Sequence, residues 1–248
     1  MAWALVSADI GWAGNKVSAA SIGVSPTAAI AADRIHIVNV VGDNISTASG
    51  ETNDHTSVTD TQGNTYTKLR EHTRSSGAAS DGVTASLWAS KLATALGTSD
   101  TVTANFASAI AAKGIRLEVF SVAAGNTFSS AGAAGNAGSG TSYTVTLSGL
   151  SSAERLFVGH AGIETTISSS IVDDPDYLNP FRTGTSGAGD VSNVSGHRSH
   201  RIATLTGDTY APTHGDTRDF ATILVALDEV AAGGATLSVN LAGRGGLA

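Results

Sequence analysis

Val83-Thr84-Ala85-Ser86-Leu87-Trp88-Ala89-Ser90-Lys91 alternates without a break. Val83, Ala85, Leu87 and Ala89 fall on one face of an extended chain, and Thr84, Ser86, Trp88 and Ser90 fall on the other. A period of two belongs to a strand and not to a helix. Upstream, Arg34-Ile-His-Ile-Val-Asn-Val-Val41 is rich in β-branched residues and lies between Asp33 and a Gly42-Asp43 turn. Comparable runs recur at Thr101–Phe106, Ile115–Val122, Tyr143–Leu147, Leu156–His160, Arg201–Leu205, Ala221–Leu227 and Thr236–Leu241, separated by Gly, Asn, Asp and Ser clusters that end strands. Ala28–Ala32 and Ala107–Ala112 have helical composition but are too short and uncapped for more than a turn or two. The pattern predicts an all-β chain: an antiparallel, jelly-roll-like β-sandwich with extended N- and C-terminal arms.

Boundaries follow from composition. Residues 1–16 read as an N-terminal arm, 17–228 as the sandwich and 229–248 as a C-terminal arm ending in Gly-Arg-Gly-Gly-Leu-Ala. An internal echo is visible, because Asp33-Arg-Ile-His-Ile-Val begins like Glu154-Arg-Leu-Phe-Val-Gly. It marks either two related halves, 17–124 and 142–228, or the two sides of one jelly roll. The unequal spacing within the halves favours one continuous sandwich. Ala124–Ser142 is Gly/Ser/Ala-rich and reads as a surface loop or covering strap, and Asp173–Ser195 reads as irregular.

Of 248 residues only 14% are charged, against about 25% in an ordinary soluble protein, while 41% are hydrophobic, enough for a core. The net charge of −7 argues against a nucleic-acid binder, which needs a concentrated basic face. Cysteine is absent, which removes disulfides, thiolate metal sites and cysteine nucleophiles. No apolar run approaches the ~20 residues of a membrane span, so no membrane insertion is expected. Met1–Lys16 lacks a basic n-region and Asp9 interrupts its apolar run, so a classical export signal is not expected either.

Candidate sites are sparse. Val58-Thr-Asp60-Thr-Gln-Gly63-Asn64-Thr-Tyr66 reads as strand, Gly-Asn turn, strand, with Asp60 accepting from the turn's own amides. A calcium site using Asp60 and the Asn64 carbonyl is the disfavoured alternative. Asp173, Asp174, Asp176 and Tyr177 form an acidic-aromatic loop that lacks the spacing of a calcium loop. They are taken as candidate contacts for a sugar or a partner protein. In His197-Arg198-Ser199-His200-Arg201 the two histidines fall on opposite strand faces, which disfavours one shared metal. The run reads as a polar strand edge, with Arg198 retained as a contact candidate. Trp88 reads as core before sugar platform, and Trp3 and Trp12 sit in the N-terminal arm, where an aromatic either anchors to a partner or folds back on its own chain, so all three are kept as contact candidates.

No nucleophile elbow, P-loop or dinucleotide fingerprint occurs. Glu118, Glu154 and Glu164 could be paired on paper as glycosidase carboxylates, but Glu118 beside Arg116 reads more simply as an exposed ionic pair. No enzymatic activity, cofactor or metal is expected.

Thr59-Asp60-Thr-Gln-Gly63-Asn64-Thr-Tyr66-Thr67 carries a resemblance. The chain resembles a family of β-sandwich modules found in tailed-bacteriophage virion proteins and some bacterial surface proteins. Ile35–Val41, Val58–Tyr66, Val83–Lys91, Asp100–Phe106 and Ile115–Ala124 follow that family's order of strands, and Arg155–Gly159, His200–Leu205 and Phe220–Leu227 fit its closing half. The resemblance implies a virion structural accessory on head or tail: a decoration (cement) protein or a fibre or tail-tip component. It would be made in the host bacterial cytoplasm, bound to capsid or tail proteins, and homo-oligomeric, with a trimer favoured. Met1–Lys16 and Gly233–Ala248 would dock on neighbouring subunits. The alternative is a module recognising host surface glycan.

Overall fold

The computed structural model describes residues 3–167, 170–186 and 193–232. Among the described residues there is no helix, and the chain is built from antiparallel strands. The strands are β1 (Ala4–Ser7), β2 (Trp12–Asn15), β3 (Ala19–Val24), β4 (Ile35–Asp43), β5 (His55–Asp60), β6 (Thr67–Ser75), β7 (Gly82–Lys91), β8 (Val102–Ile110) and β9 (Lys113–Ser121). They continue as β10 (Thr127–Ser142), β11 (Val145–Leu147), β12 (Ala153–Ile163), β13 (Ile171–Val172), β14 (Leu178–Gly184), β15 (Ser195–Leu205), β16 (Asp208–Tyr210) and β17 (Thr213–Val230).

The strands stack as four layers. One large sheet has the order β1-β9-β4-β7-β6, with β2 also on β9, and the other has β10-β17-β12-β15-β14, with β13 on β17. The first is covered outside by the small sheet β3-β8-β5, the second by the β11-β16 pair. Alternation explains the layering. The even positions Val38 and Val40 of β4 and Trp88 of β7 join Ile22, Val58, Val102 and Phe106 in the outer core of the first half. The odd positions Ile35, Ile37 and Leu87 turn inward against Leu156, Val158, Ile223 and Val225 of the second half. Phe157, Ala161 and Leu224 then face Tyr143, Val145 and Tyr210 on the far side. Both large sheets therefore bury apolar side chains on both faces, and β4, β7 and β9 are buried along almost their whole length.

The structure corrects several expectations. Ala124–Ser142 is not a strap, since most of it is β10, paired with β17 from Thr127 to Ser142. Small residues serve that position. A Cβ at Gly135 would meet the His72 ring at 2.5 Å, so the strand can cross β6 only by keeping its side chains minimal. Asp173–Ser195 contains β14, which pairs with β15. The extended N-terminal segment lies along β9 of its own chain, β1 through Ala4–Ser121 and β2 through Trp12–Arg116. Gly233–Ala248, and with it the Thr236–Leu241 strand and most of the C-terminal arm, lies outside the described residues.

One glycine shows how tightly the second half is packed. The Tyr210 ring lies directly over Gly159, where a Cβ would fall inside it. Gly159→Ala is expected to cost about 1–3 kcal/mol by overpacking, lowering Tm by roughly 5 °C for a chain of this size. Gly140→Ala, which meets nothing within 4 Å, should leave Tm unchanged in the same melting experiment.

Candidate functional site

Where the two large sheets meet, the apolar seam turns polar at one side. β9 carries Arg116 and Glu118 inward, and β15 carries Arg198 and His200 inward to meet them. Glu118 is fully buried and forms an ion pair with Arg198, itself 1% exposed. Asn39 Nδ2 donates to Glu118 Oε2 at 3.0 Å, and Arg198 also donates to the Ala8 carbonyl at 3.1 Å. Arg116 reaches Asp9 at 2.9 Å and the Arg182 carbonyl at 3.0 Å, with its guanidinium 4.0 Å from the Phe181 ring centre. His200 packs edge-on to Phe120 at 5.0 Å. From β12, His160 Nε2 hydrogen-bonds the Val40 carbonyl at 3.2 Å.

Burial sets the electrostatics. It pushes the Glu118 carboxyl above its usual range, against the opposing pull of Arg198 and Asn39. It lowers the Arg198 guanidinium to about 10, against the opposing effect of Glu118. Burial also holds His160 at about 3 and His200 at about 4, so both are neutral at neutral pH.

A second polar cluster lies in the first half. Glu71, fully buried, accepts the amides of Asp54 and His55 at 2.8 and 3.0 Å and the Lys68 ammonium at 3.0 Å. Asp54 accepts from the Ile45 amide and the Thr84 hydroxyl. Burial alone would raise Asp54, but hydrogen bonds from Ser46, Ile45 and Thr84 leave it below the usual carboxylate range. These carboxylates bind their own backbone and neighbouring strands, an arrangement that fixes loops to sheets.

The Asp60 turn has the local geometry that its sequence suggests, but it is not a hairpin: β5 pairs with β8 in the small outer sheet and β6 with β7 in the large one, so the turn carries the chain from one sheet to the other. Gly63 adopts φ 73°, and the Gly63 amide donates to the Asp60 carbonyl at 3.2 Å. Asp60 Oδ1 accepts the Gln62 and Asn64 amides, and Oδ2 accepts Asn64 Nδ2 and the Tyr66 hydroxyl. The carboxylate is satisfied by donors of the turn itself. Among the described residues no group of three or more His, Asp or Glu side chains is placed to hold a metal ion.

The structure separates the sequence-derived contact residues. Trp3 is buried and packs edge-on to Phe120 at 6.5 Å, so it anchors within its own chain. Trp88 lies in the core, its indole donating to Ser86 and the Lys68 ammonium 5.1 Å from its ring. Asp174 is buried and accepts the Asp176 and Ala211 amides. Tyr177 is buried against Tyr210, its hydroxyl on Asp208 at 3.1 Å. Arg198 sits in the sealed seam. These five cannot contact an external partner, because their polar atoms face the protein. Trp12, Asp173 and Asp176 keep substantial exposure, with Asp173 paired to His197 and Asp176 to Arg201.

Two further readings are corrected. Glu118 and Arg116 are buried and not an exposed pair, and His197–Arg201 belongs to a strand flanked on both sides by β12 and β14, not to an edge. The two histidines do diverge, His197 toward the Tyr210 hydroxyl and His200 toward Phe120.

On the surface, a cleft of about 390 Å³ opens between the β6–β7 edge and β10, with Leu69, Ala89 and Phe128 below and Thr67, Lys91 and Ser129 at the rim. Val6, Trp12 and Val17 stand 50%, 49% and 70% exposed along the N-terminal segment that pairs with β9 among the described residues. Comparison with protein-family models, curated proteins and solved structures finds no match to this chain.

Proposed function

We propose that the chain is a non-enzymatic structural protein of a tailed-bacteriophage particle, a surface accessory of head or tail that contacts neighbouring virion subunits. The observation that carries this reading is the distribution of polarity. The charged side chains of the seam and of the first-half cluster close on one another inside, while among the described residues the N-terminal segment leaves Val6 of β1, Trp12 of β2 and Val17 just after it exposed. An edge strand with exposed apolar side chains is a template for further strand pairing or docking, and a particle surface supplies the neighbour. The resemblance of the Asp60–Tyr66 stretch points the same way.

The test is fractionation of purified particles into heads and tails, with the chain counted in each. Hundreds of copies on heads would mean a decoration protein, and a handful with tails a fibre or tip component. Absence from washed particles would overturn the reading. Trp12→Ala is expected to lower particle occupancy while leaving the melting curve of the isolated protein in place.

The second reading, recognition of a host surface glycan, is favoured by the cleft beside β10. Its apolar floor of Leu69, Ala89 and Phe128 under a rim of hydroxyls and Lys91 suits a sugar ring. It predicts saturable binding of the isolated protein to host cells, weakened by Phe128→Ala.

A further inference from the structure

We infer that the chain is two copies of one strand unit joined face to face, and that the buried polar network on one side of the seam makes each unit pair with the other and not with its own kind.

The strand order supports the first part. β1-β9-β4-β7-β6 and β10-β17-β12-β15-β14 are the same arrangement at corresponding positions of the chain, and β3-β8 corresponds to β11-β16. The sequence echo sets the residue register, Arg34-Ile35 on Arg155-Leu156. Ile35 stands opposite Phe120 and Lys91, and Leu156 opposite Leu227 and Ile202. In that register Ile35 and Ile37 match Leu156 and Val158, and all four lie in the shared inner core. Each unit thus offers the same face to the other, the geometry of an isologous dimer.

A two-fold arrangement of this kind has two equivalent seams. β9 meets β14 on one, and β17 meets β6 and β7 on the other. Following the pairing registers, Arg116 and Glu118 of β9 correspond to Ile223 and Val225 of β17, while Arg198 and His200 of β15 correspond to Leu87 and Ala89 of β7. One seam therefore holds a buried ion pair where its counterpart holds aliphatic side chains, with the Arg74–Asp219 pair at that counterpart's margin. The asymmetry decides partner choice. Two first units meeting through this face would set Glu118 against the Leu87 of the other copy. Two second units would set Arg198 against Val225. Either pairing takes away the ion-pair partner, leaving Glu118 with only Arg116 of its own strand, which Asp9 already holds, and Arg198 with no carboxylate, which opposes it strongly. Only the first unit with the second neutralises both.

The test uses the full chain, refolded from denaturant over a range of protein concentrations and sized by light scattering. In E118V/R198L the polar seam takes the residues of its counterpart. The fraction of species larger than those formed by the wild type under the same conditions is expected to rise several-fold, as like units of different chains become acceptable partners. Should that variant not refold, E118Q/R198Q removes the charges with less change of shape and the same comparison decides. A refolded size distribution equal to that of the wild type would overturn the proposal.

Discussion

Arg198→Leu is expected to be among the most damaging single substitutions in the chain. It leaves Glu118 fully buried beside Asn39 with its counter-ion removed. Removing one partner of a buried ion pair typically costs about 3–5 kcal/mol, and at roughly 2–4 °C per kcal/mol for a chain of this length the loss of Tm is about 10 °C. The defect should depend on pH with a defined sign. The Glu118 carboxyl is raised in the folded state by burial, and loss of Arg198 raises it further. A raised group favours the folded state fully below its unfolded pKa and loses that advantage as pH rises. The gap in Tm between wild type and Arg198→Leu should therefore be smaller at about pH 6, above the acid transition expected for the wild type, than at about pH 8. E118V/R198L should recover most of the loss, because replacing both partners leaves no orphaned charge. A gap independent of pH would show that Arg198 acts by packing alone.

The second large effect is acid unfolding driven by histidines. Burial lowers His36 to about 4, His55 to about 3, His160 to about 3, and His197 and His200 to about 4. Unfolded, each would titrate near 6.5. Lowered groups supply stability that is fully present above the unfolded pKa and is lost as pH falls through the folded one. By pH 5 each contributes a loss on the order of 2 kcal/mol, against a total stability of about 5–15 kcal/mol. Glu164 opposes this, since burial, with Asp219, Asp81 and Asp43 nearby, raises it to about 7. Its protonation below that pH favours the folded chain. Glu118 and Asp43, also raised by burial, oppose it in the same sense, while His72 is lowered by burial and adds to it. The lowered histidines outnumber the raised carboxylates, so the midpoint of acid unfolding is expected near pH 5. Circular dichroism from pH 8 to 3 checks this, and a native signal persisting to pH 4 would contradict it.

The strands were legible where side chains alternate or branch, as in Val83–Lys91 and Arg34–Val41, and the Asp60–Asn64 turn was legible because its chemistry is local, whereas the sheet that each flanking strand joins is set by tertiary pairing and was misread as a hairpin. β10 was not, because Gly, Ala and Ser carry little strand preference and its place is set by close approach to His72 and by pairing with β17. β14 hid behind Pro180 and a polar composition. The seam was missed because Glu118 and Arg198 are distant in sequence and meet only through tertiary packing. A signal was nonetheless present: Ile115, Leu117 and Val119 interleave with Arg116, Glu118 and Phe120, which reads as a one-sided amphipathic strand although β9 is buried on both faces. The spacing around the echo at Arg34 and Arg155, unequal within the halves, favoured one continuous sandwich, and the face that the two large sheets share could be read only from where Ile35 and Leu156 point.

The face-to-face meeting of the two units is tested most directly by a disulfide across it. A Cβ at Gly162 would lie 3.1 Å from that of Ala85 on the opposing sheet, close to the ~3.5–4.5 Å of a disulfide, and the chain contains no other cysteine. Ala85→Cys/Gly162→Cys, oxidised after refolding, is expected to form an intramolecular bond in most molecules and to raise Tm relative to the reduced form. Free thiols in a folded, oxidised sample would contradict the stacked arrangement on which the seam and its partner choice depend.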